Sequence, residues 1–198
     1  SAHSPHAGTT RDTFASARGA AERLAGGYAF GLVGAVLWFA LLGLPGLILY
    51  RTIAILGREL DETQPRTHHF GLTPTRMYEA INWLPVRLAG VLLAVAAAFV
   101  PGARPGLALA TMTRGTQRHV ARGAAWPIAA LAGALGLSLA GPRPLDQGSG
   151  ALVPWIGPTG GRAKVVALDL RKALFLYAVA CLLNAALVIA ATMVWLAA

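Results

Sequence analysis

Tyr28 to Leu56 reads YAFGLVGAVLWFALLGLPGLILYRTIAIL, an apolar run broken only by Arg51. Its middle is Gly43-Leu44-Pro45-Gly46. A proline inside a helix removes a backbone donor and clashes with the preceding turn. The glycines beside it weaken the helix further. Two structures fit: one kinked span, or a helical hairpin that dips into a membrane and returns to the same side. Each arm of a hairpin would hold about 15 residues, roughly 22 Å, short of the roughly 30 Å hydrocarbon core. Length therefore favours the kinked span.

Two further apolar spans follow a polar stretch. Residues 57 to 82 are polar and hold Arg58, Glu59, Asp61, Glu62, Arg66, Arg76 and Glu79. Within them Thr75 to Asn82 reads as helix, with Pro74 in a first-turn position and Thr73 as a cap. Trp83 to Val100 is a second span, with Trp83 at the interface and Arg87 one turn inside, where it snorkels to headgroups or binds an anion. Ala173 to Ala198 is the last span, introduced by Asp169-Leu170-Arg171-Lys172. Asn184 in its middle reads as an amide that bonds across to another helix. Trp126 to Ala140 is apolar but too short to cross. Ala129–Gly133 and Ala132–Gly136 give it the small-residue spacing of close helix approach, so it reads as re-entrant or packed in protein. The expectation is an all-α, polytopic integral membrane protein: three or more membrane helices plus a short re-entrant helix, over residues 27–198. Residues 1–26 read as a flexible polar segment without the apolar core of a signal peptide. The first residue is Ser, as in a processed product or a fragment.

Composition agrees. Of 198 residues, 56% are apolar and 13% charged, against about a quarter charged in an average soluble domain. A core of this size cannot absorb that excess; a bilayer can. The net charge is +9, nearly all from Arg. These residues are spread over loops without aromatic interleaving, which argues against nucleic acid and for solvated juxtamembrane segments. Arg171 and Lys172 put the start of the last span in the cytoplasm. The acid-free loop 101–125, with Arg104, Arg114, Arg118, His119 and Arg122, agrees. The balanced 57–82 loop then falls outside.

No generic chemical motif is present. The single cysteine, Cys181, sits in an apolar run, and the five His residues have no metal-ligand spacing. Gly157 to Val165 is Gly-rich but lacks the Gly-Lys-Ser/Thr of a phosphate loop.

More specific is the run Asn82-Trp83-Leu84-Pro85-Val86-Arg87-Leu88, with Ala125-Trp126-Pro127, the small-residue stretch Ala129 to Gly136, and Gly141-Pro142. Pro154-Trp155-Ile156-Gly157, Asp169 to Leu174, Gly43 to Gly46, Tyr50, Phe70-Gly71 and Arg76 follow the same order and spacing. From about Glu22 onward the chain resembles the CobD/CbiB family, the cobalamin-pathway membrane enzymes called adenosylcobinamide-phosphate synthases. The resemblance implies amide coupling of an aminopropanol, or its phosphate, to adenosylcobyric acid, with ATP and magnesium. It also implies a bacterial inner-membrane location, a corrinoid partner, and further helices upstream or from another membrane chain.

The chain departs from the family at its acids. A Glu-Asn-x-Ser-Asp-Gly motif is expected where Gly26 to Gly31 stand, and Asn-Thr-x-Asp-Ser where Ala54 to Arg58 stand. An Asp pair is expected at Tyr78-Glu79, and a Ser-Pro-Asn stretch at Ala121 to Gly123, with Ile128 where a Glu follows Pro127. If the activity persists, the resemblance implies Arg66, Arg76, Asn82, Arg87 and Trp126 as substrate contacts and Glu79 as the surviving acid. Loop solvation or helix packing would account for each of them equally. The chain also resembles AmpE, a membrane protein of the same superfamily, through Trp83 to Gly90. That relation implies a non-enzymatic signalling or scaffolding role.

Overall fold

The computed structural model describes residues 6–63, 72–115, 124–141 and 155–197, with side chains over 14–55, 77–114, 124–141 and 155–197 except Trp195. Six α-helices occupy these segments: α1 (His6–Gly27), α2 (Gly34–Thr63), α3 (Leu72–Ala96), α4 (Pro105–Gly115), α5 (Ala125–Leu135) and α6 (Ala167–Ala197). A π-helical segment, Tyr28–Val33, joins α1 to α2. Among the described residues there is no strand, only the isolated bridges Leu137 to Arg162 and Leu139 to Ile156. Three helical stretches are long and apolar enough to cross a membrane: Phe14–Ile55, Met77–Phe99 and Ala167–Val194.

The first of these turns back on itself. Gly43 has φ 66° and ψ −152°, a conformation essentially confined to glycine. The Tyr50 hydroxyl lies 3.0 Å from the Phe30 carbonyl, although twenty residues of straight helix would separate them by about 30 Å. Gly34 packs on the Tyr50 phenol, and a Cβ on Gly46 would lie 2.6 Å from the Trp38 carbonyl. The kinked span is thus corrected to a hairpin. Length argued against two short arms, but the first arm continues through the π-helical segment into α1. Glycine at 34, 43 and 46 lets the returning arm lie against it. Phe39, Leu41, Leu42, Leu44, Ile48 and Leu49 around the bend are all exposed. So large an apolar surface calls for lipid rather than water.

The N-terminal stretch, expected to be flexible, is helix from His6 to Gly27, with Ala21 and Ala25 buried. Glu22 accepts a hydrogen bond from the Ala140 N–H at 2.8 Å, and Arg18 lies over the Trp155 ring at 5.0 Å. These contacts hold α1 against the loops around α5. The helix α5 itself is almost wholly buried. A Cβ on Gly133 would come within 2.6 Å of the Ala108 Cα, so α4 and α5 touch nearly backbone to backbone. The short apolar helix is therefore packed in protein. It ends at Leu135 rather than Ala140, because Gly136 takes the left-handed capping conformation. On α6, Ala173, Leu176, Ala180 and Asn184 form one buried stripe. Leu182, Ile189, Met193, Val194 and Leu196 stand exposed, the distribution expected of a helix with one protein face and one lipid face.

Candidate functional site

The hairpin brings distant stretches to one buried point. The Tyr50 hydroxyl shares its proton between the Phe30 carbonyl and Asn82 Oδ1, each at 3.0 Å. Asn82 Nδ2 donates to the Tyr78 carbonyl one turn back at 2.8 Å. Both amide atoms are thereby satisfied in a residue that is 2% exposed; a buried amide left unpaired would be costly. The Phe30 and Tyr78 rings lie 5.9 Å apart, and Ala54 is buried one turn along from Tyr50. The stretches where the resemblance expects acids, around Phe30, Ala54 and Tyr78, therefore meet. What fills the meeting point here is aromatic side chains and one amide. Nearby, the Tyr28 hydroxyl donates to the Ala180 carbonyl at 2.9 Å, and the Tyr28 ring meets Tyr177 edge-on. These contacts tie the π-helical segment to α6.

Arg87 and Trp126, separated by 39 residues in the chain, come together. The Arg87 guanidinium sits 3.9 Å from the Trp83 ring centroid and 5.0 Å from that of Trp126. Both indoles attract the cation through their ring quadrupoles. Gly90, one turn on, makes room: its Cβ would meet Met112 at 2.9 Å and Trp126 at 3.5 Å. Glu79 is exposed on α3, away from the buried face that carries Tyr78 and Asn82. Arg66, and the side chain of Arg76, lie outside the described residues.

A second site was not anticipated from the residues. At the head of α6 is a cleft of about 500 Å³, whose charged lining is Arg104, Arg162, Lys172 and Asp169. Asp169 is buried and accepts from Arg162 Nη2 at 3.1 Å and from the Val166 N–H at 3.2 Å. The second bond is the reach-back of a helix-capping box. The Arg104 N–H donates to the Ala134 carbonyl, which fixes that loop on the end of α5. Gly160, with φ 85°, completes the turn across the cleft. The signals were present in sequence as a Gly-rich stretch, a basic loop and Asp169 to Lys172. Their convergence was not.

Among the described residues, no three His, Cys, Asp or Glu side chains gather. Asp169 is engaged with Arg162, and Glu22 with Ala140. Magnesium takes oxygen ligands, usually carboxylates with phosphate oxygens and waters. Among the described residues, therefore, no cluster of three such ligands is present to build a magnesium site from protein alone.

The sequence profile of the CobD/Cbib protein family matches residues 10–177. The chain is similar to the cobalamin biosynthesis protein CobD of Brucella suis, 38% identical over 181 residues, 90% of this chain and 54% of the relative. It is 33% identical to that of Rhizobium meliloti over 173 residues, 87% and 52% of the two chains. For Rhodobacter capsulatus the figures are 34% over 161 residues, 81% and 49%. The chain thus spans about half the length of the curated relatives it matches. No solved structure matches. With its helical frame and a profile match over most of its length, the chain belongs to the CobD/CbiB family.

Proposed function

We propose that the chain acts in cobalamin biosynthesis as a CobD-type protein of the bacterial cytoplasmic membrane, holding a corrinoid for amide coupling to an aminopropanol or its phosphate. The observation that carries this reading is the convergence of Phe30, Tyr50, Tyr78 and Asn82. It joins the stretches in which the family resemblance expects chemistry, around one satisfied amide. Arg87, lying over Trp126, supplies a cation beside an aromatic wall suited to a propionate-bearing macrocycle. No ATP- or magnesium-dependent step is assigned to the described residues. The coupling then depends on ligands brought by residues outside them or by a second membrane chain.

Deleting the gene in its own host tests the pathway role. The expected result is accumulation of adenosylcobyric acid and loss of cobalamin-dependent growth, restored by added cobinamide. Unchanged corrinoid pools would overturn the pathway role and favour an AmpE-like, non-enzymatic role.

A further inference from the structure

We propose that the cleft at the head of α6 seats the headgroup of an anionic phospholipid with two phosphodiester groups, a lipid of the cardiolipin class. The cleft stands at the rim of two membrane-crossing stretches. Met77–Phe99 ends three residues before Gly102, and the last stretch begins at Ala167. Gly102 and Lys172 both line the cleft, and a Cβ on Gly102 would lie 3.6 Å from Lys172 Nζ. The end of α3 therefore meets the head of α6 at the depth of lipid headgroups. Arg104, Arg162 and Lys172 face one carboxylate there, Asp169. That carboxylate is buried, bonded to Arg162 Nη2 and capping α6 through the Val166 N–H. Among the described residues, Arg104 and Lys172 make no ion pair or side-chain hydrogen bond. Three cations against one acid leave a surplus of two positive charges, which two phosphodiesters neutralise. A lipid with one phosphodiester, such as phosphatidylglycerol, would leave one charge unmatched. Basic pockets between membrane helices on the cytoplasmic side hold such headgroups, and Arg171 and Lys172 put this end of α6 on that side.

The surface leading away from the cleft decides between a lipid and a soluble anion. Leu168, Lys172, Phe175 and Leu182 recur at the spacing of one helix face. The apolar three are 60%, 52% and 71% exposed. On α3, Val91, Val95 and Phe99 are exposed as well and lead up to Gly102. Both apolar stripes thus run from the cleft into the membrane-crossing stretches. The ten residues of helix from Lys172 to Leu182 cover about 15 Å. That is half of the roughly 30 Å hydrocarbon core, the depth to which the acyl chains of one leaflet reach. A soluble anion gains nothing from these stripes, whereas acyl chains cover them. The cleft itself, about 500 Å³, has room for a headgroup of small-molecule size and leaves the chains to run outside. Gly160 and Gly161 keep one wall free of side chains, so phosphate oxygens can approach the main chain.

The test uses the full chain, delipidated in detergent, with lipid affinity read by native mass spectrometry. Thermal unfolding is followed in parallel in phosphatidylcholine nanodiscs containing tetraoleoyl cardiolipin, or dioleoyl phosphatidylglycerol at equal total charge. The expected result is that cardiolipin binds about tenfold more tightly than phosphatidylglycerol, the worth of one further charge-assisted contact, and raises the unfolding temperature more. Arg104→Gln and Lys172→Gln each weaken cardiolipin binding about tenfold for the same reason, while Lys172→Arg retains it. Arg114→Gln, which removes an exposed cation at the other end of α4, leaves binding unchanged. The deacylated headgroup, bis(glycerophospho)glycerol, binds far more weakly than the lipid. Equal responses to the two lipids at matched charge would overturn the proposal and leave a generic basic surface. Equal losses in Arg114→Gln and the cleft variants would do the same. Binding of the deacylated headgroup as tight as that of the lipid would overturn it in favour of a soluble anion. Both Gln substitutions leave the Asp169–Arg162 pair intact, and the comparison of lipids on the unaltered chain stands whether or not a variant folds.

Discussion

Gly34→Ala is expected to cost at least about 2 kcal/mol of stability, because the new methyl group enters the space of a side chain that cannot leave. A Cβ at residue 34 collides with the Tyr50 hydroxyl and ring. Tyr50 is held there by the Phe30 carbonyl and by Asn82. Displacing it also strands the Asn82 carbonyl oxygen in a buried site, a further penalty of about 1–3 kcal/mol. Tyr50→Leu in the same chain should remove part of the cost. Measured by thermal or denaturant unfolding in micelles, the double-mutant cycle should give a coupling of about 0.5–3 kcal/mol between positions 34 and 50. In a single kinked helix those positions would stand about 24 Å apart, and the two changes would simply add.

Gly133→Val should be more damaging still. The two atoms nearest its Cβ would be backbone, the Ala108 Cα and the Leu107 carbonyl oxygen, each at 2.6 Å, with the Thr111 side-chain Oγ1 at 2.7 Å. A flexible side chain can swing away, but a helix backbone moves only by separating α4 from α5. The expected loss is about 3 kcal/mol or more, seen as little monodisperse protein after extraction and a large fall in unfolding temperature. Gly27→Ala provides the contrast. Nothing lies within 4 Å of its Cβ, and replacing a helical glycine with alanine should be neutral or stabilising by up to about 1 kcal/mol.

How far these features could be read in advance depended on how local their causes are. The apolar runs, the small-residue face of α5 and the buried amide of Asn184 follow from side-chain type and spacing. So did the choice between kink and hairpin at Gly43 to Gly46, but not its outcome. That outcome turns on Gly34 accepting Tyr50 and Gly46 accepting the Trp38 carbonyl, contacts that no periodicity encodes. Asn82, Arg87 and Trp126 stood out by resemblance. Asn82 proves to be a locked joint between α3 and the hairpin, and Arg87 is held by cation–π contact with two indoles. The cleft was the least legible. Its charged residues come from three places in the chain, and Arg104 looked like one of many loop arginines. Only the end of α5 and the head of α6 bring it opposite Lys172 and the Gly160 turn.

The hairpin underlies the rest, since it alone brings Phe30, Tyr50 and Asn82 together. Its most direct test is the side of the membrane on which its two open ends emerge. Single cysteines at Arg23 and Leu60, each in a Cys181→Ala background, can be reacted with a membrane-impermeant maleimide in sealed right-side-out and inside-out vesicles. Labelling of both positions from the same face is the predicted result. Labelling of residue 23 from one face and residue 60 from the other would mean that Tyr28 to Leu56 crosses the membrane once, and would contradict the hairpin.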